Sequence, residues 1–116
     1  MFILGENKKI RDVKDLNEAD KIRIKDFIQG AVYCWCKNKK DEWFSVRDLF
    51  GGDNFYWNGT PLYSLYDKQL QKKTKDPVDE AGKDIGWLLK KVLLEDKRVF
   101  NTKKENMIRK YLWISD

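Results

Sequence analysis

Histidine is absent from this chain, and cysteine and proline occur only twice each. Without imidazole no Ser-His-Asp or Cys-His triad exists, and acid-base chemistry near neutral pH loses its usual carrier. Cys34 and Cys36 supply two thiolates where a closed zinc site wants four ligands. Half of a metal site shared across a dimer and a redox pair are conceivable for them. The simpler reading is two small apolar residues at the buried end of a helix. No apolar run approaches the roughly 20 residues of a membrane span. Phe2-Ile3-Leu4 is too short for the apolar core of a secretory signal, so a cytoplasmic, reducing setting is expected. GxxxxGK[ST], GxGxxG and GxSxG are all missing. Glu42 and Asp48 flank a short strand pattern, but the lysine pattern of metal-dependent nucleases does not accompany them. The expectation is therefore no enzyme, no cofactor and no metal.

What is present is enough for one folded domain of 116 residues: 41% hydrophobic and 14% aromatic. Residues 1–16 form an arm in which Phe2, Ile3, Leu4, Ile10, Val13 and Leu16 are scattered among charges. It has three open placements: adding a strand, packing across the domain, or exchanging with a second copy in a homodimer. Residues 17–116 read as the domain itself. Asn17 is a good N-cap, with Glu18 and Asp20 in the first turn. Ile24, Phe27, Ile28, Ala31, Val32 and Trp35 then follow helical spacing to about Lys37. Glu42–Val46 reads as a strand, 46–50 as one helical turn, and Gly51-Gly52-Asp53-Asn54 as a break. A loop with Phe55, Tyr56 and Trp57 follows.

Thr60-Pro61 and Asp76-Pro77 both pair a capping side chain with proline at the first helical position. They predict helices from Pro61 to about Lys73, through Leu62, Leu65, Tyr66 and Leu70, and from Pro77 to about Glu95. The second carries a wide stripe of Ala81, Ile85, Leu88, Leu89, Val92 and Leu93. Gly82 and Gly86 inside it predict close approach by another element. Arg98–Thr102 and Met107–Ile114 read as a hairpin, with Lys103-Lys104-Glu105-Asn106 at its tip.

The fold class is thus α+β, mainly helical, with a C-terminal antiparallel β-hairpin and an inserted aromatic loop. A long helix followed at once by a hairpin with a basic end resembles the winged helix-turn-helix superfamily. The likeness covers roughly residues 17–114 and lies in element order. It implies that the helix from Pro77 is a recognition helix, that Lys103 and Lys104 sit on a wing, and that Trp43–Val46 is the third strand. The loop at 51–59 and the long turn at 72–76 depart from the usual pattern.

The chain carries +5, from 24 basic and 19 acidic residues. From Ala81 onward nine basic residues face five acids, so +4 of that charge is C-terminal. Lys83, Lys90, Lys91, Lys103, Lys104 and Arg109 are the candidate contacts to the phosphates of double-stranded DNA. Asp76, Asp79, Glu80 and Asp84 at the start of the same helix oppose phosphate there. The alternative is a winged-helix-like adaptor that binds protein, with Tyr56, Trp57 and Trp87 at the interface. The competing reading of those aromatics is that the loop plugs a gap and covers Trp87. If the basic residues share a face, DNA is favoured. Lysines that scatter beside exposed aromatics would favour a protein partner.

Overall fold

A computed structural model describes residues 2–4, 9–51 and 57–116 of the chain. It is α+β and about half helical, with a C-terminal two-stranded antiparallel hairpin. The elements run β1 (Phe2–Leu4), α1 (Glu18–Asn38), α2 (Val46–Phe50), α3 (Tyr63–Gln71), α4 (Pro77–Glu95), β2 (Val99–Glu105) and β3 (Ile108–Ser115). Among the described residues, no helix is long and apolar enough to cross a membrane.

The arm both adds a strand and packs across the domain. β1 pairs parallel with β2, Ile3 opposite Phe100, so the sheet order is β1-β2-β3. Ile3 and Val13 are buried. Further along the arm, ion pairs join Asp12 to Lys21 at 3.2 Å and Asp15 to Lys72 at 3.0 Å.

Each long helix begins on a capping side chain. Asn17 accepts from the Asp20 amide at 2.7 Å, and Asp76 accepts from the Asp79 amide at 3.1 Å with Pro77 behind it. The predicted strand at 42–46 shrinks to a single bridge, Phe44 to Tyr111, made by two hydrogen bonds of 2.8 Å. The reason is Ser45. It forms a reciprocal capping box with Asp48 and turns the chain into α2 one residue after the bridge. α3 starts at Tyr63 rather than Pro61. The Thr60 hydroxyl donates to the Trp57 carbonyl at 2.8 Å and accepts from the Leu62 amide, which holds a turn where the helix was expected.

The core joins Ile24, Ile28 and Val32 of α1 to Ile85, Leu88, Leu89 and Val92 of α4. Phe44, Phe100 and Tyr111 close it at the sheet, with ring centroids 6.0–6.3 Å apart. Three expectations for this core change. Phe27 is 37% exposed and stacks on Phe50 at 6.0 Å, and Ala31 is only half-buried, because α1 buries the line 24-28-32-36 instead. Leu70 is exposed, and Gln69 takes the inward position of α3, donating to Asp84 at 2.9 Å. Cys36 is buried, and burial pushes its thiol pKa up, whereas Cys34 is exposed on another side of the helix.

The expected close approach at Gly86 is also absent: a Cβ built there would meet nothing within 4 Å. Finally, the hairpin is longer than its sequence suggested. β2 continues through Lys103 and Lys104 to Glu105, and the turn is only Asn106-Met107. Both turn residues have positive φ, 51° and 64°, as the tight two-residue turn demands.

Candidate functional site

α4 and the hairpin enclose a groove of about 450 Å³, lined by Lys9, Lys83, Gly86, Trp87, Lys90, Lys104, Arg109 and Tyr111. Each element contributes through its own periodicity. On α4, positions 83, 86, 87 and 90 fall on one flank, beside the buried stripe. On the hairpin, Lys104 and Arg109 lie directly opposite each other, one cross-strand step beyond Lys103 and Lys110. Tyr111 lies two residues from Arg109, on the same face. Lys9 arrives from the arm. A second depression of about 460 Å³ continues from it past Lys83, Gly86 and Arg109 to Val46, Val78, Met107 and Ile108.

Lys90 is 8% exposed, with its ammonium 5.6 Å from the Trp87 ring centroid. That contact holds a cation and an aromatic face together at the groove wall. Lys83 pairs with Asp79 at 3.3 Å and with Glu80 at 3.4 Å. The hydrogen bond to Asp79 raises its pKa, and Glu80 adds to the effect. All three side chains are well exposed, so these pairs are weak and exchangeable. Asp84 is taken out of the account. It meets Lys68 at 2.7 Å, with the lysine side chain 6% and the aspartate 18% exposed, and Lys68 also donates to the Lys14 carbonyl at 2.8 Å. That knot ties the arm, α3 and α4 together.

Of the six basic residues selected from sequence, the groove gathers Lys83, Lys90, Lys104 and Arg109. The other two lie elsewhere. Lys103 points to the outer face of the hairpin, its ammonium 4.3 Å from the Trp43 ring centroid. Lys91 lies one step round α4, beside Ile10, Arg11, Asp12 and Lys21. Lys9 was missed because nothing in the arm's local pattern shows which part of the domain it will cross.

Of the three aromatics, Trp57 is 3% exposed and donates its indole N–H to the Phe50 carbonyl at 3.1 Å. Trp87 is half-buried, with the groove on one side and the arm residues Ile10–Val13 on the other. Tyr56 and Phe55 lie outside the described residues.

No family model, curated protein or solved structure matches the chain.

Proposed function

We propose that the protein binds duplex DNA with α4 and the hairpin, in the manner of a winged helix, and that the groove between them takes the phosphates of one strand. A small transcriptional regulator is the corresponding role. The observation that carries this reading is the convergence of Lys9, Lys83, Lys90, Lys104 and Arg109, from three separate segments, on one groove beside Trp87. Basic side chains gathered beside an aromatic face make a surface suited to a phosphate backbone. Lys83 and Lys90 are seven residues apart on α4, roughly 10 Å along its axis, or the axial length of about three phosphates on one strand. Contacts of this kind give affinity and register without reading sequence. The single bridge from Phe44 to Tyr111 holds the hairpin beside the helices, as the third strand does in winged helices.

Asp76 and Asp84 are occupied as a cap and as a partner of Lys68. Asp79 and Glu80 remain near the groove and would keep affinity modest. The adaptor alternative loses one of its named aromatics from the surface, since Trp57 is packed inward.

The test is a titration of labelled mixed-sequence duplex with the wild type and with a Lys104→Ala, Arg109→Ala double variant. The double variant should bind all sequences more weakly by the same factor. Equal binding by the two proteins would contradict the reading.

A further inference from the structure

We propose that the outer face of α1 pairs with the same face of a second copy, the two helices running antiparallel about a twofold axis between positions 31 and 32. The inference is independent of the duplex-binding reading, because this face lies opposite the line 24-28-32-36 that α1 buries. Ile22, Asp26, Gly30, Tyr33 and Lys37 recur every three or four residues, which puts them on one stripe, and all of them are exposed. After Met107, Ile22 and Tyr33 are the most exposed large hydrophobic residues described, at 53% and 49%.

The stripe carries both a projection and a recess. Tyr33 is the projection. Gly30, one turn before it, has no atom within 4 Å of where its Cβ would lie. Glycine weakens a helix interior, and no contact within the chain requires it there. A depression of about 670 Å³ opens beside it, bounded by Gln29, Gly30 and Tyr33 of α1 and by Lys97, Arg98 and Asp116. Its wall is firm, since Asp96 accepts from Gln29 at 2.8 Å and from Arg98 at 2.7 Å.

Charge fixes the occupant and its direction. About the proposed axis, Tyr33 of each copy meets Gly30 of the other, and Asp26 of each meets Lys37 of the other. Both matches share one midpoint, so a single register makes them together. A parallel pair would set Asp26 against Asp26 and Lys37 against Lys37, and an antiparallel pair shifted by one turn loses both matches. Among the described residues, neither Asp26 nor Lys37 forms an ion pair within the chain, whereas Lys25 on the flank is taken by Glu95 at 3.0 Å. Lys40, which would meet Arg23, lies past the helix end with its ammonium 5.9 Å from the Trp113 ring centroid. Contact from 26 to 37 spans roughly three turns, and glycine at the crossing lets the axes approach closely. A self-complementary patch of this kind closes as a dimer and does not propagate. Tyrosine suits its centre: the ring enters the depression and leaves the hydroxyl for the polar wall.

The test is sedimentation of the full chain over a series of concentrations. The wild type should pass from monomer to dimer in the micromolar range. Asp26→Lys and Lys37→Asp each set like charges opposite one another and should weaken dimerisation by more than about tenfold. The double variant exchanges the two charges and should return dimerisation to near the wild-type value. Gly30→Gln fills the recess with a better helix former. It should melt at a higher temperature than the wild type and stay monomeric, which separates loss of pairing from loss of fold. A wild type that is monomeric throughout overturns the proposal and leaves the face to a different protein. A dimer that survives Gly30→Gln overturns it in favour of an exchanged arm. A double variant as weak as the single ones overturns the antiparallel register. The duplex titration with Lys104→Ala, Arg109→Ala reads none of these outcomes, so the two readings fail separately.

Discussion

Two neighbouring cross-strand pairs of the hairpin carry the same charges and face opposite ways. On the outer face, Lys103 and Lys110 stand with Glu105, which reaches them at 3.4 and 2.8 Å. The hydrogen bond from Lys110, together with the charge of Lys103, holds the Glu105 carboxyl below its usual range, and Lys103 also covers Trp43. That face carries its own carboxylate between the two lysines. On the inner face, Lys104 and Arg109 look across the groove at Lys83 and Lys90 of α4. A count of charge along the sequence treats the two pairs alike. The one-residue alternation of a strand separates them, because it sends one pair to the outer face beside Glu105 and the other to the groove.

The sharpest way to break this comparison is to remove each pair in turn. Replacing Lys104 and Arg109 with alanine should lower the salt slope of duplex binding by about 2 and weaken binding on the order of fiftyfold at 0.1 M salt. Replacing Lys103 and Lys110 instead should change affinity by less than about threefold, in line with an exposed and internally screened set. Equal losses from both variants would end the distinction.

The comparison also requires that the root of the hairpin be held independently of the groove. Asp96 does this. It accepts from Gln29 of α1 at 2.8 Å and from Arg98 at 2.7 Å. Burial alone would raise its pKa, but the bonds from Arg98 and Gln29 outweigh burial and hold it at about 2. A depressed carboxylate contributes stability that is present above its unfolded pKa near 3.8 and is lost as pH falls toward 2. Asp96→Asn should therefore cost roughly 2 kcal/mol at pH 7 in denaturant unfolding and flatten the acid limb of the stability profile.

The smallest effects come from two glycines. Gly30 and Gly86 both lie inside helices with open space where a Cβ would go. Alanine at either should stabilise by about 1 kcal/mol in thermal unfolding. Only Gly86→Ala places a methyl in the groove, so it alone should alter duplex affinity, by a few-fold.

Helix existence was legible in the sequence because caps and period agreed: Asn17, Asp76 and the stripe of α4 mark what the structure contains. Local signals failed where one particular hydrogen-bond partner decided the outcome. Thr60-Pro61 looks like a helix start, yet Trp57 claims the threonine hydroxyl. Leu70 fits an apolar stripe, yet Asp84 draws Gln69 inward instead. Of the candidate site, the basic residue types were visible and their grouping was not. Strand register decides whether Lys103 or Lys104 faces α4, and a shift of one residue exchanges them. Placing the turn at 103–106 concealed that register, since Asn106-Met107 lacks the glycine that usually marks it.

The most direct test of the central claim is the salt dependence of wild-type binding to mixed-sequence duplex between roughly 50 and 200 mM. If the five cations of the groove neutralise phosphates, log affinity should fall linearly with log salt at a slope of about −4.5, since each contact contributes roughly 0.9. Absence of binding at the low-salt end, or a slope near zero, would contradict the account.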